Sequence, residues 1–125
     1  MLRDTDVMAT VAVKDMKRAV EFYEGTLGLT RGRNEEGMAI AFKTGNSMIL
    51  VYKSNFAGTN QATAATWAVD DVAAVVNDLK AKGVTFEHYD FPGIKLEGDV
   101  HVMGDRKNAW FKDPDGNILS VVNKS

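Results

Sequence analysis

Few side chains in this sequence combine the types and the spacing that catalysis or metal binding requires. His88 and His101 are the only histidines, and they do not form a pair four residues apart on a predicted helix. Asp99 lies two residues before His101, but these two residues alone are only a weak indication of a catalytic or metal-binding site. The absence of cysteine excludes thiolate metal sites, disulfides and thiol catalysis. For His101 the hypotheses are a polar group over a binding site, solvent exposure or a local hydrogen bond.

Ser120 and the run Asp113-Pro114-Asp115-Gly116 are the other candidates for chemistry. Ser120 has no recognisable base or oxyanion hole, so the sequence does not indicate a nucleophilic serine. Asp113 and Pro114 suit the first two positions of a β-turn, and Gly116 suits the fourth. The run therefore predicts a hairpin between two apolar strands, in which both aspartates serve the turn first.

The elements that must position these residues repeat within the chain. Thr10-Val11-Ala12-Val13-Lys14-Asp15 lines up with Thr66-Trp67-Ala68-Val69-Asp70-Asp71 at an offset of 56 residues. Each copy leads into an apolar stripe with helical spacing, capped by Asp15 or Asp71. A repeat of this length predicts two similar modules, and chance similarity of two strand-helix units is the alternative. Each half is too small for a satisfactory core of its own, so the two halves should combine.

Alternating and β-branched runs predict the remaining strands. In the first half they cover 7–13, 29–33, 38–43 and 47–53, with a helix from Met16 to Leu27 and a turn at 34–37. In the second half they cover 85–89, 108–112 and 117–123. Residues 100–103 fit either a short strand or a loop over a pocket, inside a long insert that the first half lacks. The sequence therefore predicts an α+β fold of two tandem β-α-β-β-β modules.

Length and composition favour one domain over residues 1–125. We expect module one at about 5–55, a polar connector at about 56–62 and module two at about 63–125. The net charge is −2 and no basic stripe suggests nucleic acid. The first residues carry no apolar leader, and no apolar run is long enough to cross a bilayer. These features predict a soluble, cytoplasmic protein that binds neither nucleic acid nor membrane.

Three motifs in order resemble a known family over essentially the whole chain. They are Val13-Lys14-Asp15-Met16 leading to Glu21-Phe22-Tyr23 and Leu27-Gly28-Leu29, then Val69-Asp70-Asp71-Val72, then Phe111-Lys112-Asp113-Pro114-Asp115-Gly116-Asn117. They resemble the glyoxalase, bleomycin-resistance and extradiol-dioxygenase superfamily, also called the vicinal oxygen chelate superfamily. The resemblance implies a curved mixed sheet around a cup, helices on the outer face, and a homodimer in which each cup is shared.

Enzymes of that superfamily hold a divalent metal in the cup through His, Gln or Glu on four strands. By the resemblance, the position on the first strand falls on Met8, seven residues before Asp15, and its counterpart in the second half falls on Ala64. The position on the last strand falls on Ser120, and the fourth lies within 48–52. None of these positions carries His, Gln, Glu or Asp, so we expect neither a metal nor another cofactor.

Without a metal, the cup has an apolar floor with hydroxyl groups and an aromatic wall. Period-two alternation and the resemblance give the predicted ligand-binding residues, which are Met8, Thr10, Tyr52, Ala64, Thr66, His101, Asn108, Trp110, Ser120 and Val122. The residues expected at the rim of the cup are Arg31, Tyr52, Phe91 and His101. Trp110 either stacks on a ligand or merely fills the cup.

These features favour a metal-free protein that binds an aromatic or amphipathic small molecule, like the bleomycin-resistance branch of the superfamily. The alternative is a lyase or oxygenase-like enzyme with non-standard active-site residues, and a regulatory or accessory domain is a third possibility. The sequence leaves open whether the protein is an enzyme and assigns no catalytic residue. It specifies neither the ligand, nor the dimer geometry, nor the role of the loop at 90–107.

Overall fold

The computed structural model describes residues 1–34 and 37–124. Module one follows a short 3-10 helix at Leu2–Asp4. Its elements are β1 (Ala9–Val13), α1 (Met16–Val20), a π-helical segment (Glu21–Thr26), β2 (Thr30–Asn34), β3 (Ala39–Thr44) and β4 (Ser47–Lys53). They form a four-stranded sheet in the order β1-β4-β3-β2, with β1 and β4 parallel and the other neighbours antiparallel. The turn predicted at 34–37 lies partly outside the described residues.

Module two repeats this arrangement and adds a hairpin. Its elements are β5 (Thr63–Val69), α2 (Val72–Ala81), β6 (Phe86–Glu87), β7 (Lys95–Glu97), β8 (Val100–Met103), β9 (Arg106–Lys112) and β10 (Ile118–Asn123). The strand order is β5-β10-β9-β8-β7, and β6 also pairs with β9. The strand predicted at 85–89 is shorter than expected. Only β6 pairs with β9 there, because β8 pairs with the rest of the same edge of β9. Residues 100–103 form a strand rather than a loop.

The two sheets lie side by side along β1 and β5. The side chains that alternate toward the helices form one core that draws on both modules. Its largest fully buried members are Tyr23, Phe42, Phe111, Ile40, Ile49 and Leu119. The side of the two sheets that faces away from this core is the face of the predicted cup. The predicted α+β architecture is confirmed, although the expected single sheet is divided into two.

Both predicted helix caps are present. The carboxylate of Asp15 accepts a hydrogen bond from the Arg18 N–H at 3.3 Å, and that of Asp71 accepts one from the Ala74 N–H at 3.1 Å. The predicted helix that begins at Met16 is present, but after Val20 it changes from α-helical to π-helical geometry, in which the Leu27 N–H donates to the Phe22 carbonyl at 2.9 Å. A wider turn brings neighbouring side chains closer to one face. Phe22 and Tyr23 can therefore both pack inward.

The predicted turn at Asp113–Gly116 also joins the two modules. The Gly116 N–H donates to the Asp113 carbonyl at 3.0 Å, which closes the turn. Tyr23 on the π-helical segment donates its hydroxyl to the buried Asp113 carboxylate at 2.7 Å, and the Asn117 amide donates to the Ala12 carbonyl of β1 at 2.7 Å. We call Tyr23, Asp113 and Asn117 the clasp, because they tie the last hairpin to module one.

Among the described residues, no helix is long and apolar enough to cross a membrane.

Candidate functional site

The strand pairings identify the fourth position that corresponds to a metal ligand in the superfamily. Thr10 pairs with Leu50 across β1 and β4, and Thr66 pairs with Ser120 across β5 and β10. Thr10 and Thr66 are equivalent in the repeat, so Leu50 is the counterpart of Ser120. The four positions are therefore Met8, Leu50, Ala64 and Ser120.

The side chains at these positions do not fit a divalent metal ion. Ser120 is only 2% exposed, and its hydroxyl is hydrogen-bonded to that of Thr66 at 2.8 Å. Met8 lies just before β1 and is 44% exposed, whereas Ala64 is the extra residue of a β-bulge and packs against the core. The alternation that placed Ala64 on the cup face is interrupted at this bulge. Within 1–34 and 37–124, no three His, Asp or Glu side chains are grouped to hold a metal.

Trp110 extends across the floor of the cup in module two. It stands opposite Ser120 in the antiparallel pair β9–β10, and its indole N–H donates to the Thr63 hydroxyl at 3.1 Å. Thr63 belongs to β5, on the far side of β10. The indole therefore crosses over β10, which accounts for the burial of the Ser120 hydroxyl beneath it.

Three further rings pack around Trp110. The ring centroids of His101, Tyr89 and Phe91 lie 4.8, 5.3 and 5.9 Å from that of Trp110. His101 and Tyr89 meet the indole nearly edge to face, a favourable geometry for aromatic pairs. We call these four side chains the aromatic cluster. Phe91 is its most exposed member, and its place at the rim of the binding site stays a prediction.

The ring of His101 is held by backbone groups on both sides. Its Nε2 accepts a hydrogen bond from the Tyr89 N–H at 2.9 Å, so the proton of the neutral ring lies on Nδ1. Nδ1 lies 3.3 Å from the Asn108 carbonyl, to which it donates. The ring is 2% exposed. His101 thus contacts the site through its ring carbons, and the local hydrogen bond considered from the sequence is present.

The other predicted ligand-binding residues fall into two groups. Asn108 and Val122 pair with each other beside Trp110 and Ser120, close to Thr66 on β5. Thr10 and Tyr52 lie on β1 and β4 of module one, where Tyr52 is 39% exposed. The structure thus brings the module-two members together and leaves Met8, Thr10 and Tyr52 on the open half of the cup. Their roles in binding stay predictions.

Arg31 was expected at the rim, and this prediction is wrong. Arg31 stands opposite the buried Phe42 in the pair β2–β3, which turns it toward the helices. Its Nε donates to a carboxylate oxygen of Glu24 at 2.7 Å. The sequence places Glu24 on the first helix but gives no sign of this pairing.

Tyr89 is the member of the site that sequence reasoning missed. Phe86 faces the core beside Phe111, and Glu87 pairs with Trp110 on the cup face. Continued alternation puts Tyr89 on the same face as Glu87. The sequence contains this alternation, but the contact of Tyr89 with Trp110 lies beyond the end of β6, where alternation is a weaker guide.

An ion-pair network fixes the segment that carries Tyr89. Asp99 receives hydrogen bonds from Lys80 of α2 and from His88, each at 2.7 Å. The hydrogen bond from Lys80, followed by that from His88, lowers the pKa of the Asp99 carboxyl below its usual value. Asp99, within the insert, is therefore bonded both to α2 and to His88, the residue next to Tyr89.

A separate cavity of about 210 Å³ lies on the helix side, between the modules. Its lining includes Leu27, Trp67, Leu79 and Phe111. Trp67 also links the modules there, because its indole N–H donates to the Thr44 hydroxyl at 3.0 Å. None of the ten predicted ligand-binding residues lines this cavity.

The sequence profile of the Glyoxalase/Bleomycin resistance protein/Dioxygenase superfamily matches residues 7–121. Among curated proteins, none matches the chain significantly.

Solved structures with a similar fold include a bleomycin resistance determinant, an antibiotic binding protein and a lyase. A bleomycin resistance determinant encoded on the transposon Tn5 has a TM-score of 0.75 at 18% identity, covering 97% of this chain and 98% of that one. The antibiotic binding protein TnmS3 from a Streptomyces species has a TM-score of 0.66 at 19% identity, with coverages of 97% and 98%. Lactoylglutathione lyase from Agrobacterium tumefaciens has a TM-score of 0.68 at 19% identity, with coverages of 95% and 93%. At these identities the similarity shows the fold alone.

Proposed function

The chain belongs to the glyoxalase, bleomycin resistance protein and dioxygenase superfamily, and on that premise we propose that it is a metal-free small-molecule-binding protein. Its ligand is aromatic or amphipathic and binds in the cup by apolar and aromatic contacts. The observation that carries this proposal is the aromatic cluster, which stands over a floor that offers no set of metal ligands.

The chemistry of the floor supports binding without a metal. Met8 and Leu50 supply apolar groups, Ala64 packs against the core, and the Ser120 hydroxyl is hydrogen-bonded to that of Thr66. Divalent cations need several carboxylate or imidazole ligands together, because each contributes to the affinity of the whole site. The mechanism we propose therefore contains no metal-dependent step.

The aromatic cluster supports a planar ligand. Trp110 is partly exposed, and its ring is held by Thr63 and by edge contacts from Tyr89 and His101. A ring fixed in this way loses little conformational entropy when a ligand stacks on it. Aromatic side chains also bury a large apolar area per residue. A flat, largely apolar ligand makes best use of such a surface.

We further propose that the protein is a cytoplasmic homodimer. Met8 and Tyr52 leave apolar surface exposed on the module-one half of the cup, and a second copy would cover this half. Light scattering after size-exclusion chromatography at about 100 µM protein should give twice the mass of one chain. A single-chain mass at that concentration would contradict the dimer but not binding by the cup.

An enzymatic role is the second candidate, and one pair of side chains favours it. His88 is exposed, and its Nε2 lies 2.7 Å from the Asp99 carboxylate. A carboxylate that orients an imidazole is a recurring arrangement for a general base. His88 and Tyr89 also line a pocket of about 250 Å³. The reaction would be that of a lyase or an oxygenase-like enzyme with non-standard residues.

Binding and turnover can be separated directly. Protein purified with a chelator is titrated calorimetrically with a panel of aromatic antibiotics and is assayed for glyoxalase activity with the glutathione hemithioacetal. The proposal requires saturable binding that is unchanged by added Zn²⁺, Ni²⁺, Fe²⁺ or Mn²⁺, without turnover. Glyoxalase or ring-cleaving turnover that is lost in His88→Ala would establish the second candidate instead. Failure of the whole panel to bind would argue against the ligand class.

A further inference from the structure

Tyr89 and Asn108, two residues near Trp110, each carry a buried oxygen that has no hydrogen-bond partner among the described residues. Among the described residues, three buried side-chain oxygens have no hydrogen-bond partner, namely Tyr89 Oη, Asn108 Oδ1 and Asp115 Oδ2. Asp115 belongs to the turn beneath the connector and is remote from the cup. Tyr89 and Asn108 both adjoin His101, and Asn108 shares the cup face of β9 with Trp110. Two of the three oxygens therefore lie in one part of the proposed binding site.

Buried polar atoms are nearly always hydrogen-bonded in folded proteins, since an unpaired one loses its contact with water and gains nothing in return. The neighbouring rings of His101 and Trp110 do not supply the missing partners. Both ring nitrogens of His101 are engaged by backbone groups, and the Trp110 indole N–H is engaged by Thr63.

We propose that the ligand of the cup supplies the missing partners for Tyr89 and Asn108. Asn108 Oδ1 can only accept, so the ligand presents an O–H or N–H donor to it. Tyr89 Oη both donates and accepts, so it bonds to an oxygen or a donor on the same ligand. The ligand class is an aromatic ring system with a hydroxyl or carboxamide substituent. This inference rests on the proposed function and adds to it the polar group that sets specificity.

The two oxygens differ from structural hydrogen-bonding groups because they are paired only when a ligand is bound. A site that leaves polar atoms unpaired while empty discriminates strongly in favour of a ligand that pairs them. The same atoms weaken the ligand-free fold. Replacing them with apolar groups of similar shape should therefore improve the empty protein and impair recognition of the polar group.

Two ring probes of nearly equal size test recognition. 2-Naphthol carries a hydroxyl where 2-methylnaphthalene carries a methyl group, and each is titrated calorimetrically into the wild-type protein and its variants. In Tyr89→Phe and in Asn108→Leu, we expect the ratio of the 2-naphthol affinity to the 2-methylnaphthalene affinity to fall about tenfold. The affinity for 2-methylnaphthalene should be unchanged or higher.

The outcomes separate this inference from the proposed function. If both probes bind to the wild-type protein and neither variant changes the ratio, the inference is wrong while aromatic binding stands. If neither probe binds, the proposed aromatic site and the inference fall together.

Thermal unfolding without ligand gives an independent check. Tyr89→Phe and Asn108→Leu should leave the midpoint within about 1 °C of wild type or raise it, whereas Tyr23→Phe should lower it by several degrees. The Tyr23 hydroxyl is the matched control because it is buried and has a partner. A clear fall of the midpoint in both cup variants would mean that these oxygens are satisfied within the fold, and would overturn the inference.

Discussion

At the scale of single residues, the most strongly connected polar group is the carboxylate of Asp113, which lies in the clasp rather than in the cup. Its Oδ1 accepts from the backbone N–H groups of Asp115 and Asn117, and its Oδ2 accepts from Tyr23 and the Asn117 side chain. A buried carboxylate with four donors is well satisfied. The conspicuous aspartate of the turn thus holds the modules together.

Tyr23→Phe removes one of these donors and should lower the free energy of unfolding by about 1–3 kcal/mol, because a charged buried oxygen loses a hydrogen bond. Urea denaturation at neutral pH measures the change. Tyr52→Phe is the control, since Tyr52 is exposed and its substitution should change stability by less than about 0.5 kcal/mol. Equal, small effects of both substitutions would argue against the clasp.

The same residue gives a prediction at alkaline pH. Burial, and then the Asp113 carboxylate, raise the pKa of the Tyr23 hydroxyl far above its usual value of 10.0. A raised pKa contributes stability that is complete below the usual value and is lost as the pH rises above it. The stability difference between wild type and Tyr23→Phe should therefore narrow above about pH 10. A constant difference across this range would contradict the assignment.

Sequence reasoning recovered some of these residues and missed others for physical reasons. The repeat aligned Thr66 with Thr10, and the resemblance to the superfamily gave the position of Ser120 and the inward direction of Trp110 and Asn108. None of these patterns predicts that the Tyr23 hydroxyl donates to Asp113, because the two residues are 90 positions apart in the sequence. The side-chain bonds that occupy His101 depend in the same way on which strands become neighbours.

At the scale of elements, the connector between the modules approaches the Asp113–Gly116 turn very closely. Gly58 has φ of +72°, and a Cβ at this position would lie 1.9 Å from the Asp115 carbonyl oxygen. Only glycine fits both the backbone angle and the space. The connector, which reads as a simple polar linker in the sequence, is therefore packed against the end of module two.

Gly58→Ala should lower the free energy of unfolding by about 2–4 kcal/mol, combining the strain of a positive φ with the clash. Gly45→Ala is the matched control, because Gly45 also has a positive φ, at +58°, but nothing lies within 4 Å of its Cβ position. It should lose only about 1 kcal/mol. If chemical denaturation gives equal losses for the two variants, the close packing of the connector is wrong.

The insert of module two depends on Asp99, and its anchoring should weaken in acid. Because Lys80 and His88 lower the pKa of this carboxyl, the stabilisation is present above its usual value of 3.8 and is lost as the pH falls through the lower, folded-state value. Asp99→Asn should cost a few tenths to about 1 kcal/mol near neutral pH and progressively less in acid.

Hydrogen exchange locates this effect. The Tyr89 amide, which donates to His101, should exchange faster in Asp99→Asn, while amides of β4 should not change. An effect spread evenly over both modules would show that Asp99 stabilises the fold in general rather than the insert.

Elements with strong local signals were predicted well, and those fixed by packing were not. Strand β4 matches its predicted bounds, and both aspartate caps are present. The π-helical segment follows from the need of Phe22 and Tyr23 to face one core, which the apolar stripe alone does not reveal. The hairpin of β7 and β8 forms because the edge of β9 is available for pairing.

At the scale of the whole molecule, the clasp and the Trp67–Thr44 bond connect the modules on the helix side. The single-domain organisation with its predicted boundaries stays a prediction, which these bonds support. We expect one cooperative unfolding transition. Far-UV circular dichroism reports both modules, whereas fluorescence reports module two, where both tryptophans lie. The two denaturation curves should coincide, and separate midpoints would show that the modules unfold independently.

The proposed function requires that a ligand binds at Trp110 without a metal. The most direct measurement is tryptophan emission of chelator-treated protein titrated with 2-naphthol and with the aromatic antibiotics, using excitation near 295 nm with correction for ligand absorbance. We expect saturable quenching or a shift that survives in Trp67→Phe and disappears in Trp110→Phe, with binding in Trp110→Phe followed by calorimetry. A signal that persists in Trp110→Phe would contradict binding at Trp110, and a signal that requires an added divalent metal would contradict metal-free binding.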